Sequence, residues 1–419
     1  LMYVSCAIRM TVYGFTIGFR NFKDYSKRSL WLPEFMLKLI FMWPAQDAKY
    51  RKVSFTASIL CVLFVQWGLL SYSYRYFRDY NQTIISVTVL SPLIQTLFKI
   101  SMLRYHSVSL QNMIEDIGSK FWPCDFFPED NKRFRTRYRS GLLAMIVLAM
   151  SALIFTLGHS LLPLLTPNRQ LPYRSLYPFD CLMSPFYEVI YILHCFVCNY
   201  LANLSILGYD FVIISICNNL VTQYTLLKKC FMAYGDIEKV KKYNEKFNQL
   251  SISPNLNKNK QDENKLFLVR LVKHHQLLNR TAKSTENVVY IIGALQLCTS
   301  ITGICLSGFM STRGDVGVME VIAMGIFLIG HLIQLFMYCA VGNELFHESS
   351  SLTDNIFASK WYEIEDNRLK RDIIIAMKNA QVPAKITAGK VFPLDYSTCI
   401  EVLRLTFSFY TLLSSLIDK

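Results

Sequence analysis

Six polar side chains stand in order near the end of the chain. Ser397, Glu401, Arg404, Ser408, Thr411 and Ser415 are spaced 4, 3, 4, 3 and 4 residues apart, which aligns them along one face of a helix. The segment that carries them, Leu394 to Leu416, is otherwise apolar, with Val402, Leu405, Phe409, Leu412 and Leu416 on its other side. A charged group at bilayer depth costs on the order of 3 kcal/mol on insertion scales, so Glu401 and Arg404 require water or protein around them. A stripe of hydroxyls and charges across a membrane can line a wet path, its oxygens replacing part of an ion's hydration shell while the apolar side rests against neighbouring helices. The same spacing fits a bundle helix whose Ser and Thr bond back to their own backbone and whose Glu401 and Arg404 pair. Periodicity alone does not separate the two readings. One helix cannot enclose a conduit, so the first reading demands several subunits around a shared axis.

Elsewhere the chemically capable residues are dispersed. There is no nucleophile beside a base, no metal-ligand cluster and no phosphate-binding loop, so neither catalysis nor a cofactor is expected. Cys195 and Cys198 form a CxxC inside an apolar stretch, where small packing residues are the better reading than a metal or redox pair. Of the 12 cysteines only Cys181 falls in a segment expected outside the cell, so no structural disulfide is expected. A sequon at Asn81, Gln82 and Thr83 lies on that same side, very close to the membrane. No cleavable signal peptide is visible, and since the chain begins at Leu1 part of the natural amino terminus is expected to be missing.

The elements that position these groups follow from composition. The chain has 419 residues, 52% hydrophobic and 18% charged, and its apolar residues gather in blocks of about 20, the length that crosses a bilayer core. Six are clear: Val53 to Tyr72, Thr83 to Met102, Gly141 to Leu165, Pro185 to Leu207, Val288 to Met310 and Val318 to Val341. The seventh, Leu394 to Leu416, is the polar one described above. The expected fold is therefore all-α, a polytopic membrane protein with seven transmembrane helices. The net charge of +14 raises the question of nucleic acid, but its placement answers it. Of 44 Lys and Arg, 36 fall in the amino-terminal segment and the second-to-third, fourth-to-fifth and sixth-to-seventh connections, against 6 on the other side. Basic residues are retained on the cytosolic side, which puts the amino terminus in the cytosol and, after seven crossings, the carboxyl terminus outside. That is the reverse of a G-protein-coupled receptor. A metabotropic receptor, which needs an exposed amino terminus, and a transporter, to which the intramembrane Lys99 could belong, remain the alternatives.

Between the spans, Tyr209 to Lys246 and Leu266 to Glu286 mix apolar and charged residues at helical spacing and are expected to extend the fourth and fifth membrane helices into the cytosol. Phe247 to Lys265, rich in Asn, Lys, Ser and Gln with Pro254, is expected to be a flexible loop. Asn367 to Ala380 places Leu369, Ile373, Ala376 and Ala380 on one stripe, a helix too short to span and suited to pack on other helices or another subunit. The expected division is 1–341 for the first six helices, with 209–286 as their cytosolic extensions, 342–390 for a cytosolic anchor and 391–419 for the last helix.

The run from Trp361 and Tyr362 through Arg368, with Gln381, Pro383, Ala388 and Gly389 and then Thr406, Phe407, Ser408, Phe409 and Leu412, resembles the carboxyl-terminal signature of insect odorant receptors. Members of that family are odorant-gated, non-selective cation channels in which an odorant-specific subunit joins a shared co-receptor in a tetramer at the plasma membrane of sensory neurons. The resemblance implies that Ser397, Glu401, Arg404, Ser408, Thr411 and Ser415 line the pore and that Asn367 to Ala380 belongs to the anchor. The gate positions, aliphatic in the co-receptor, correspond here to Thr411 and Ser415, which marks an odorant-specific subunit. It further implies a pocket for a small, volatile, apolar ligand in the outer half of the bundle, between spans two and six. By depth and facing, its candidate residues are Thr83 and Val87, Phe155 and His159, Tyr187, Tyr191 and His194, Thr299, and Ile322 and Met324, with the two histidines as donors to an ester, carbonyl or hydroxyl oxygen.

Overall fold

The computed structural model describes residues 28–166, 169–249, 262–312 and 317–417. Among them six helices are long and apolar enough to cross a membrane. After a short α1 (Trp31–Leu39) come α2 (Ala48–Arg75), α3 (Tyr80–Tyr105), α4 (Ser107–Ser119) and α5 (Asn131–Leu165). The fourth crossing is composite: α6 (Phe186–Cys195), a π-helical segment (Phe196–Ala202) and α7 (Asn203–Met232) run on without a break. Then follow α8 (Ile237–Gln249), α9 (Asp262–Thr312), α10 (Val318–Ser350), α11 (Leu352–Phe357) and α12 (Asn367–Ala380). A two-stranded hairpin, β1 (Thr387–Ala388) with β2 (Phe392–Pro393), leads into α13 (Tyr396–Ile417), the seventh long helix.

At 1.5 Å per residue the 51 residues of α9 reach about 76 Å, more than twice a hydrocarbon core, so the helix necessarily continues well past the membrane. The expected extension of the fourth crossing is likewise helical through Met232, but it stops there: Gly235, at φ 89°, turns the chain back into α8. Helix α7 is buried along almost its whole length against α1, α9 and α10, its buried polar residues included: Asp210 meets Lys99 and Gln223 donates to the Trp122 carbonyl at 2.8 Å. Phe247 departs from the expected loop. It ends α8 fully buried, 4.8 Å from the Trp122 ring and 4.6 Å from Phe126, because aromatic partners distant in sequence outweigh its polar neighbours. Helix also resumes at Asp262, and the rest of that stretch, residues 250–261, lies outside the described residues.

The basic residues on that side are partly consumed structurally. Glu348 accepts from Lys228, Arg133 (3.0 Å) and Thr225 (3.0 Å), while Arg137 reaches Glu344 at 3.0 Å; these contacts pin α5, α7 and α10 together. Helix α12 occupies Asn367–Ala380, capped by the Asp366 carboxylate on the Arg368 amide, with Leu369, Ile373, Ala376 and Ala380 buried.

The hairpin is fixed to α9. Glu286 accepts from both the amide (2.7 Å) and hydroxyl of Thr387, and the Gly389 amide donates to Tyr290 O at 2.7 Å. Its turn puts Gly389 at φ 64° and Lys390 at φ 62°, the two positive angles a tight primed turn needs. Behind it, the linker into α13 presses on α10: a Cβ on Gly342 would stand 2.2 Å from the Leu394 carbonyl oxygen. Gly342→Ala is therefore expected to lower the melting temperature of the detergent-purified protein, by the equivalent of about 1–3 kcal/mol. Gly325→Ala, on the same helix but with nothing within 4 Å of its Cβ, is the comparison expected to change little.

Candidate ligand pocket and stripe helix

A cavity of about 110 Å³ lies between α3, α5, the α6 to α7 crossing and α10. On the same measure one water needs about 10–15 Å³, so a small organic molecule fits. Its wall is mainly apolar, from Val89, Leu93, Leu148, Ile206, Leu207 and Ile326 among others. The π-helical segment contributes Cys198 and Ala202 to it, the wider turn carrying the helix around the cavity. An aromatic chain lines one side: Phe155 lies 4.9 Å from Phe327, which in turn meets His331 edge-on at 4.5 Å. His331 packs its ring over α9 where a Cβ on Gly303 would come within 2.7 Å of Nε2, so glycine there is what lets the imidazole lie flat against the backbone.

A second, more polar cavity of about 500 Å³ lies beyond, against the 169–182 loop, with Tyr72, Gln82, Arg169, Arg174 and Glu320 in its wall. Arg174 donates to Gln82 and pairs with Glu320 at 3.4 Å. Tyr173 and Val89 line both cavities, so the Tyr173 ring, stacked 5.8 Å from His159, is part of the partition between them.

At the opposite end of the first cavity, Gln95 and Gln334 lead into a buried polar network. The Lys99 ammonium lies 2.7 Å from Asp210, with neither side chain exposed. Lys99 also donates to Gln95 (3.3 Å) and Gln296 (3.2 Å), while Asp210 accepts from Gln334 (2.6 Å) and Tyr338. Gln95 bonds Thr299. Four membrane helices, α3, α7, α9 and α10, meet there.

The candidate residues distribute unevenly. Phe155 lines the first cavity; His159 and Met324 line the second. Thr299 stands one hydrogen bond behind the first, through Gln95. His194 is buried behind Tyr173, bonded at Nε2 to the Tyr177 hydroxyl at 2.9 Å. Tyr191 donates to the Ser160 carbonyl, Tyr187 to that of Gln170 (3.2 Å), and Thr83 to that of Tyr76 (3.0 Å). Val87 is half-buried outside both walls, and Ile322 is 52% exposed on the outer face of α10. Gln95, Tyr173, His331 and Gln334 line the first cavity without having been singled out from sequence. The available signal was polarity in spans two and six, where a buried polar side chain in lipid faces the bundle interior.

Helix α13 turns Thr398, Cys399, Val402 and Thr406 inward against α9 and α10. Ser397, Glu401, Arg404, Ser408, Thr411 and Ser415 are all exposed on this chain. Their hydroxyls do bond back, Ser408 to Arg404 O at 3.1 Å, Thr411 to Ser408 O at 2.9 Å and Ser415 to Leu412 O at 2.8 Å, leaving each oxygen free to accept. Of the expected apolar face Val402 packs inward but Leu405, Phe409 and Leu412 are exposed, because α13 sits at the edge of the bundle and touches it along one narrow side. The Leu416 side chain lies outside the described residues.

Seven long helices, of which four crossings wall a largely apolar cavity and the last lies at the bundle edge with a polar stripe, give the architecture of a polytopic membrane protein with room for a small molecule. The family model for the 7tm odorant receptors matches residues 79–407, and the chain belongs to that family. It is 20% identical over 421 residues to odorant receptor Or1 of Anopheles gambiae, covering 94% of this chain and 96% of that one. It is 28% identical over 156 residues to odorant receptor 85a of Drosophila melanogaster. Among solved structures, the olfactory receptor OR5 of Machilis hrabei in complex with eugenol superposes with a TM-score of 0.76 at 16% identity, covering 92% of this chain and 97% of that one. The protein is thus a multi-pass membrane odorant receptor.

Proposed function

We propose that this chain is the odorant-specific subunit of a ligand-gated, non-selective cation channel, assembling with co-receptor subunits as a heterotetramer in the plasma membrane of sensory neurons. The amino terminus is cytosolic and the carboxyl terminus extracellular. The observation that carries the reading is the pairing of a largely apolar cavity within the bundle with a polar stripe left uncovered on α13. Charged and hydroxyl groups at membrane depth need water or a partner, and α13 gathered with the corresponding helices of the other subunits around an axis supplies both. The eugenol complex of the Machilis hrabei receptor, a small ring molecule bound to the same fold, supports a ligand of that size.

Ligand and permeation then separate by site. Phe155→Ala removes an aromatic wall of the cavity and is expected to shift odorant sensitivity by about 10-fold or more, on the scale of a lost buried aromatic contact, with cation permeability ratios unmoved. Recording concentration–response curves from cells expressing the chain with a co-receptor tests this. A change in permeability ratio with sensitivity intact would place the ligand elsewhere.

A further inference from the structure

We infer that His331 reads a hydrogen-bonding group on the ligand, so that the cavity takes small, mostly apolar molecules bearing one oxygen function in preference to hydrocarbons of the same skeleton. This rests on the cavity being the odorant site. His331 is 6% exposed, lines the cavity, and its Nδ1 has no hydrogen-bond partner. Four other polar groups of the wall are engaged within the protein. Gln95 and Gln334 are tied to the Lys99 and Asp210 network, Asn203 donates to Thr156 at 3.0 Å, and Ser151 donates to Leu148 O at 2.8 Å. The Tyr173 hydroxyl, from the loop on the far side, like His331 Nδ1 has no hydrogen-bond partner, with the weak Cys198 thiol beside it.

A ligand that covers an unpaired buried imidazole nitrogen without bonding it forfeits the bond that nitrogen could otherwise make and so loses affinity. A hydroxyl satisfies either tautomer of His331, and a carbonyl or ester satisfies the one carrying the proton on Nδ1. A hydrocarbon satisfies neither. The discrimination belongs to the class in which a buried polar group rejects the analogue lacking its partner.

The test uses matched probes, toluene against benzaldehyde and benzyl alcohol, and heptane against 2-heptanone. Binding is read as thermal stabilisation of the purified full-length protein, and response as current in cells that also express a co-receptor. The wild-type chain is expected to bind the oxygenated member of each set about 10- to 100-fold more tightly. In His331→Phe that ratio is expected to collapse to within about threefold, in His331→Gln to persist, and in Gly303→Ala, which displaces the ring, to fall. The Gln and Ala variants carry the test if the Phe variant is not made. Equal affinity for both members in the wild-type chain, or an undiminished ratio in His331→Phe and Gly303→Ala, overturns the role of His331 while leaving the cavity as the site. An absence of stabilisation by every probe, or affinities unaffected by Phe155→Ala, overturns the cavity reading itself.

Discussion

Lys99→Met is expected to cost this protein about 3–5 kcal/mol, the penalty for leaving one partner of a buried ion pair without the other. Asp210 would remain in full burial with only Gln334 and Tyr338 as donors. Asp210→Asn should cost a comparable amount, because it strands the ammonium between Gln95 and Gln296. The double variant Lys99→Met with Asp210→Leu is expected to recover most of the loss, since well-packed apolar replacements of a buried pair are often neutral. Melting temperatures of detergent-purified protein, together with surface labelling, measure all three. Equal losses in the double and single variants would show that the network as a whole, rather than charge balance, holds α3 to α7.

Reversing a charge on the stripe should have an effect of similar rank on conduction. Glu401 is exposed near the start of α13. In an assembly that turns this face to a pore, Glu401→Lys replaces attraction for a passing cation by repulsion, about 1 kcal/mol each way at 4 Å in a watery environment. Together these amount to roughly 2 kcal/mol, or about 30-fold in cation occupancy. Single-channel inward conductance should fall steeply in Glu401→Lys and by less in Glu401→Gln, and raised salt should shrink both effects by screening. A conductance indifferent to the sign of residue 401 would place Glu401 away from the permeation path.

How much of this was legible in the chain depends on whether the signal was local. Helix α12 was, because Leu369, Ile373, Ala376 and Ala380 fall on one stripe at helical spacing, and they are the buried set, while the neighbouring Ile374 and Ile375 fall off it and are exposed. The long helices were, because length and apolarity suffice. Rotational phase within a uniformly apolar span was not. Ile322 and Met324 both suit a pocket by depth, yet one is exposed and the other buried, and nothing within the span distinguishes them. Partnership was the other blind spot. Lys99 stood out as an intramembrane charge, while Asp210 looked like part of a soluble extension, and only the packing of α3 on α7 joins them. His331 was hidden for the same reason, since its role depends on Gly303 lying opposite on another helix. On α13 the stripe was legible but its opposite face was not, because the side that packs is set by where the linker past Gly342 delivers the helix.

The most direct measurement is cysteine accessibility along α13 during odorant-evoked current. A membrane-impermeant, positively charged thiol reagent is applied to cells expressing the chain with a co-receptor, comparing Ser408→Cys and Thr411→Cys with Val402→Cys and Thr406→Cys. The exposed pair should be modified and the current lastingly reduced, while the buried pair should be spared. Modification confined to positions 402 and 406, or current indifferent to reagent at 408 and 411, would contradict the placement of this helix at the pore.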